Sequence, residues 1–454
     1  MNKNKEELLH KEPKELMLKL CIPAIIGMVV IGLYSFMDGV FAGQLIGKNA
    51  MGAVAVAYPI TFLNSAIATL IGIGSSSILS RAIGKNDQET VNKIMGNLLC
   101  LVLIFSTIVM VVGIVFAKEL LLLTGAEGQI LELAVRYLRI IFIGSIFVNF
   151  AQSANMVMRG EGIMKKAMLF MTIGAVLNII LDPILIIAFG KYGIEGAATA
   201  TIISQVIQAV ITMVYFIRKS KNVRFHKIQI EKTLLPEIFS VGLSAMMMQL
   251  MSMIQQTLMY RMAAKYGGNN QLILMGATLR IQALSFIPLW GMSQGLQPVV
   301  GTNYGAKLFS RVKKCMNIFI LGATILACVF WIPIELFPQK VLSLMITDVD
   351  IVNEGITNFR IMYSLFPALG TFIMGVTFFQ SIGSAKNAGL LVLLRQVILF
   401  VPAIIIFPYI VGISAVWFVS PLIDGIVFIM LVYLILKEYK KMDTVNLSES
   451  YIKI

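Results

Sequence analysis

The sequence predicts an all-α polytopic membrane protein with twelve transmembrane helices in two six-helix lobes, related by a parallel (6+6) pseudo-two-fold repeat. Three observations carry that prediction. Of 454 residues, 58% are hydrophobic and only 13% are charged, where a soluble globular domain carries about a quarter charged residues. The apolar residues gather into runs long enough to cross a bilayer, which takes ~20 residues at 1.5 Å each. The two halves of the chain also match at an almost constant separation of 221 residues.

The apolar runs fall at about 16–42, 52–78, 92–117, 129–154, 163–188, 193–217, 234–263, 271–300, 312–335, 350–381, 387–408 and 412–437. Twelve spans use nearly the whole length and leave no room for a separate soluble domain. No G-x-x-x-x-G-K-[ST] phosphate loop occurs, so a fused ATPase is not expected. Up to Glu15 the chain is polar and mixed in charge, with no small-residue cleavage site behind the first apolar run. It reads as a segment leading into a retained first helix.

An even number of spans puts both termini on one side, and the loops say which. That side collects 25 Lys and Arg, six of them within 218–232; the other side has Lys48, Lys118, Lys191, Arg261, Lys265 and Lys340. Cytoplasmic loops carry the excess of Lys and Arg, so both termini are expected in the cytoplasm of a cell that holds the protein in its inner or plasma membrane. The same asymmetry accounts for the net charge of +14, and nucleic acid is not expected as a partner. The expected organisation is a cytoplasmic segment over 1–15, an N-lobe over 16–217, a cytoplasmic linker over 218–233, a C-lobe over 234–437 and a cytoplasmic tail over 438–454.

The repeat is read at polar positions as well as apolar ones. Gly74 matches Gly295, and Gly84-Lys85 match Gly305-Ala306-Lys307. Tyr137-Leu138-Arg139-Ile140 fall on Asn358-Phe359-Arg360-Ile361, while Gly162, Lys165 and Ala167 fall on Gly383, Lys386 and Ala388. Because the separation holds six spans, the halves share one orientation. Transporters that rock two bundles about a central cavity are built on this plan.

Ionisable residues inside a bilayer are costly and mark function by default. Asp38, in the first span, and Asp182, in the fifth, lie ~32 and ~27 Å from the basic ends of their helices at 1.5 Å per residue. Asn178 is one turn before Asp182, and Pro183 frees the carbonyl of Ile179. Two carboxylates at one depth suit a proton, or Na⁺ if Asn178 and a hydroxyl add oxygen ligands. Met259 and Ala403 stand at the matching positions of the second half, so the acid pair exists in the first half alone. In the second half, Arg395 and Asp424 are expected to meet as an intramembrane ion pair.

Helix seven is crowded with methionine, and adaptable thioethers suit a promiscuous cavity wall. Gln249, Met253, Gln255, Gln256 and Met259, joined by Gln282 and Gln380, are therefore the candidate substrate-cavity residues. No H-E-x-x-H occurs, so no enzyme activity, no cofactor and no metal beyond Na⁺ are expected.

Four stretches resemble the multidrug and toxic compound extrusion (MATE) transporters. They are Leu33-Tyr34 through Asp38 with Gly43-Gln44, Gly74-Ser75 through Gly84, Leu177-Asn178 through Asp182-Pro183, and Gln297-Pro298 through Tyr304-Gly305-Ala306. With the repeat, the resemblance covers essentially the whole chain. It implies two lobes facing each other in a V and secondary-active export of cationic, amphipathic small molecules, driven by inward H⁺ or Na⁺, by a monomer in the bilayer. By position, Asp38, Asn178 and Asp182 match the family's N-lobe proton or cation site, with Thr201 as its hydroxyl and Thr199 close enough to compete. The NorM-like branch carries acids in helices seven and ten, where this chain has Met, Gln and Gln380. The resemblance therefore favours the DinF-like and MepA-like branch, with coupling through the N-lobe. The alternative is a lipid-linked saccharide flippase or a dedicated metabolite exporter of the same broad fold. A flippase would want a basic central cavity, and only Arg280 and Arg395 sit at mid-membrane depth.

Overall fold

The structure, a computed structural model, describes residues 3–124, 126–220 and 222–452. Among them every regular element is helical. In chain order these are α1 (Lys3–His10), α2 (Pro13–Phe41), α3 (Lys48–Lys85), α4 (Gln88–Val115), α5 (Ala117–Leu123), α6 (Gly128–Ile143), α7 (Ser145–Gly160), α8 (Met164–Phe189) and α9 (Gly193–Val214). They continue with α10 (Leu235–Gly305), α11 (Phe309–Leu336), α12 (Pro338–Leu342), α13 (Val349–Tyr363), α14 (Phe366–Ser381), α15 (Ala385–Leu393), α16 (Phe400–Val411) and α17 (Ile413–Ile452). π-helical turns at Ala42–Ile46, Tyr215–Lys219 and Leu394–Ile398 prolong or join their neighbours.

Nine stretches of helix among the described residues are individually long and apolar enough to cross a membrane. Two of these, Met164–Lys219 and Leu235–Gly305, hold two crossings each. The first divides at the 3₁₀ turn Gly190–Tyr192. The second divides at Gly268, whose φ of 69° falls where only glycine is at ease. A further crossing, α6 with α7, breaks at Gly144 into two 16-residue halves. The chain therefore makes twelve crossings. The fourth reaches Gly160 rather than ending near 154, and the seventh and eighth meet at one residue rather than across a loop.

The loop between α3 and α4 is short and locally closed. Asn86 takes a left-handed conformation (φ 60°) to end α3, and Asp87 caps α4, accepting from the Thr90 amide at 3.0 Å and hydroxyl at 2.7 Å. Those two hydrogen bonds hold the Asp87 carboxyl below the usual carboxylate range.

Contacts divide the chain into two compact units, residues 1–7 with 26–246 and residues 8–25 with 247–454. Unit 1 thus contains the first turns of α10, and unit 2 the first turns of α2. In unit 1 a Cβ on Gly74 would stand 2.2 Å from the Ile238 carbonyl oxygen, and one on Gly242 would stand 1.9 Å from that of Leu70. Arg81 adds an ion pair to Glu237 at 2.5 Å. In unit 2, Gly291 and Gly295 make the same kind of room for Ile25 and Cys21. Asn303 Nδ2 also donates to the Leu8 carbonyl at 2.9 Å. Small residues at helix contacts are the usual device in membranes, where close backbone approach replaces the missing hydrophobic drive. The buried cluster of Ala50, Ala53, Ala57, Ala117, Ala134 and Ala198 in unit 1 follows the same rule.

Candidate functional site

A cavity of about 290 Å³ opens inside unit 1. Residues from α2, α3, α6, α7, α8 and α9 line it, among them Tyr34, Asp38, Tyr58, Phe62, Asn64, Tyr137, Gln152, Thr201, Gln205 and Gln208. Two glycines set the spacing of its back wall. A Cβ on Gly196 would stand 2.4 Å from the Leu185 carbonyl oxygen, so α8 and α9 close tightly beside Asp182. A Cβ on Gly174 would stand 2.5 Å from Gln208 Oε1, so the amide of Gln208 lies flat against α8.

Asp38 and Thr201 line this cavity, and against them stand Asp182 and Asn178. Asn178 Nδ2 donates to Asp182 Oδ1 one turn along α8 at 3.2 Å, and to Thr201 Oγ1 on α9 at 3.2 Å. Thr199 instead donates back to the Glu195 carbonyl at 2.7 Å. Asp38, from α2, comes up beside Asp182. Asn178 and Asp182 are 2% and 1% exposed, sealed from solvent on the helix side. Three oxygens here are buried without a hydrogen-bond partner: Asp38 Oδ1, Asn178 Oδ1 and Gln205 Oε1. All three accept and none donates. Such a site calls for a donor or a cation.

Gln152, Gln205, Gln208 and Asn64 escaped sequence reasoning. Their one detectable signal is the stripe Thr201, Gln205, Gln208, Thr212 on α9, spaced four, three and four residues apart along a single helical face.

The remaining sequence-predicted residues lie in unit 2 and none lines the unit 1 cavity. On the first half of α10, Met259 is buried, Gln249, Met253 and Gln255 are partly buried and Gln256 is exposed; Gln282, on its second half, is partly buried. Gln380, on α14, is buried. Arg395 and Asp424 meet: Nε donates to Oδ1 at 2.7 Å and Nη2 to Oδ2 at 3.4 Å. The guanidinium also lies 5.1 Å from the Phe372 ring centre, a cation–π contact.

Comparison with known proteins agrees with this architecture. The MatE family profile matches residues 23–184 and 244–406. The chain belongs to the MatE family. The two matched segments begin 221 residues apart, the separation read from the repeat. Among curated relatives, the multidrug export protein MepA of Staphylococcus aureus is 25% identical over 438 residues, 95% of this chain and 96% of that one. An FAD transporter of Shewanella oneidensis is 24% identical over 437 residues, with the same coverage. Among solved structures, MATE in the bent conformation superposes with a TM-score of 0.92 at 27% identity, covering 98% of this chain and 99% of that one.

Unit 1 of this MatE protein carries a further buried acid, at its basic end. Glu161 follows α7 and is 1% exposed; Asn222 Nδ2 donates to its Oε1 at 2.7 Å. Burial pushes its carboxyl up to about 7, against the opposing pull of the Asn222 hydrogen bond and the Lys166 charge.

Proposed function

We propose that this chain exports cationic, amphipathic small molecules across the cell membrane by antiport against H⁺ or Na⁺. The observation that carries the reading is the set of buried acceptors in unit 1. Asp38 and Asp182 face each other, and Asp38, Asn178 and Gln205 each hold an oxygen with no donor. Two carboxyls in contact repel unless a proton or cation lies between them. The cavity then has two mutually exclusive loads. With the acids charged, it attracts a cationic substrate; with H⁺ or Na⁺ bound, that attraction is gone and the substrate leaves. Thr201 and Asn178 supply neutral oxygens for Na⁺, and the aromatic walls from Tyr34, Tyr58, Phe62 and Tyr137 accept apolar bodies and cations alike. Multidrug export by the similar MepA supports this reading. On it, both termini and the 218–233 linker face the cytoplasm, the linker joins an N-lobe over 16–217 to a C-lobe over 234–437, and the Arg395–Asp424 pair serves to hold the C-lobe helices.

A second reading, a dedicated metabolite exporter, is favoured by the amides Asn64, Gln152, Gln205 and Gln208 along the cavity. Each amide offers both donors and an acceptor, the pairing that the edge of a heteroaromatic ring presents. The similar FAD transporter supports it.

Dye efflux from proteoliposomes, with a pH or a Na⁺ gradient imposed separately, separates the readings. Ethidium efflux driven by one gradient, lost in Asp38→Asn while the protein stays folded, is the expected result. Full efflux by Asp38→Asn would overturn the coupling assignment. Folded protein that moves flavin but no dye would select the second reading.

A further inference from the structure

We propose that the basic end of unit 1, formed by the turn before residue 220 and the strap over 222–232, is a docking surface for the anionic phospholipid headgroups of the adjoining leaflet. The strap is extended yet pinned. Val223 is fully buried, the Phe225 ring packs on Phe216 at 6.3 Å, and the Glu231 amide donates to Asn97 Oδ1 at 2.9 Å. At Gly96 the backbone of α4 comes so close that a Cβ would stand 1.8 Å from the Lys227 carbonyl oxygen. A segment held like this loses little further freedom on binding.

Its charges are sorted by direction. Arg218, Lys219, Arg224, Lys227 and Lys232 are exposed. The acids are turned inward: Glu161 is buried against Asn222, and Glu231 is engaged by Lys93 at 3.4 Å and Thr233 at 3.0 Å. Glu89 is exposed but pairs with Lys93 at 2.7 Å. Lys166, 5.1 Å from the Tyr215 ring centre, brings a second basic row from the start of α8 beside the turn. Among the exposed cations stand Ile217, Ile228 and Ile230, exposed by 58%, 64% and 43%. Bare isoleucines between outward cations fit the headgroup–acyl boundary, where the cations meet phosphate and the apolar tips enter the upper acyl layer. Polybasic segments next to a span bind anionic leaflets at about fivefold per Lys or Arg. Placement on the cytoplasmic side follows the loop charges; lipid binding itself depends on neither that orientation nor the transported substrate.

The test uses the full chain in nanodiscs of phosphatidylcholine, alone or mixed with phosphatidylglycerol. Native mass spectrometry counts the phosphatidylglycerol retained after extraction. Arg218→Gln/Lys219→Gln/Lys227→Gln should lower retention on the order of a hundredfold, whereas Lys314→Gln/Lys386→Gln/Lys440→Gln, an equal loss of charge from unit 2, should leave it unchanged. A fluorophore on Ile228→Cys should shift to the blue in the mixed discs and not in phosphatidylcholine. Unchanged retention in the strap variant, equal loss in the unit 2 variant, or a dye insensitive to phosphatidylglycerol would each overturn the proposal. So would binding of soluble polyglutamate as tight as that of the mixed discs, which would mark an acidic protein as the occupant.

Discussion

Replacing Glu161 by glutamine preserves the shape of the basic end of unit 1 and removes a titration. The amide oxygen still accepts from Asn222, now at 2.7 Å from Oε1. The amide nitrogen replaces Oε2, a buried oxygen without a donor. In the folded protein the carboxyl titrates at about 7, against an ordinary 4.5. At 1.36 kcal/mol per pKa unit, that gap is worth roughly 3 kcal/mol. The folded chain binds this proton more tightly than the unfolded chain. The stabilisation is therefore complete below pH 4.5, declines as pH rises toward 7, and is gone above it. Glutamine carries no such dependence. Thermal unfolding of detergent-solubilised wild type and Glu161→Gln, followed by tryptophan fluorescence across the acid-to-neutral range, isolates the effect as the difference between the two proteins. That difference should be near zero in acid and grow in favour of glutamine up to neutrality, then level off. A difference that stays flat across the range, or a glutamine variant that is the less stable protein above neutrality, would refute the assignment of a strained, buried carboxylate.

Two further predictions concern packing. Asp424→Ala leaves Arg395 buried without its counter-charge and should destabilise by about 3–5 kcal/mol, while Arg395→Met/Asp424→Leu should recover most of the loss; a double variant as unstable as the single one, by melting temperature, would count against a purely structural pair. Gly242→Ala sets a Cβ against the Leu70 carbonyl, backbone to backbone, where no side chain can swing aside. It should cost about 1–3 kcal/mol or more, whereas Gly276→Ala, whose Cβ would meet nothing nearer than Tyr260 at 3.7 Å, should melt like the wild type.

The twelve crossings and the acid pair were legible because hydrocarbon makes both conspicuous: a charge is costly there, and a run of apolar residues has no other use. The exchange of first turns between units was not. A repeat in sequence order looks the same whichever unit its first helix packs into. Gly74 and Gly295 did stand out as a matched pair, and each proves to be where such a helix approaches, but a glycine announces close approach without naming the partner. Glu161 was passed over because an acid in a loop at the membrane edge costs nothing by itself. It is buried by residues some sixty positions later, as the strap reaches it through Asn222. The cavity amides were hidden for a different reason. Each glutamine of α9 is unremarkable alone, and the apolar residues between them conceal a period that shows only when one helical face is read.

The two units treat buried acid in opposite ways, and that contrast bears on where the proposed coupling would occur. In unit 2, Asp424 is saturated: two guanidinium nitrogens of Arg395 reach its two oxygens, and Phe372 covers the guanidinium. A carboxylate so supplied has no capacity for a cation that comes and goes, because each arrival would have to displace a tethered charge at a cost of several kcal/mol. In unit 1, Asp38 and Asp182 have no cation of their own, and their neutral neighbour Asn178 has one amide shared between Asp182 and Thr201. The donors there fall short of the acceptors by at least the three oxygens of Asp38, Asn178 and Gln205. Under the proposed antiport, that shortfall is what a mobile cation would fill. Met259 and Ala403 stand at the positions matching Asp38 and Asp182, so unit 2 has no acid pair at those two positions. On the antiport proposed above, coupling would then belong to the half whose acids are short of donors.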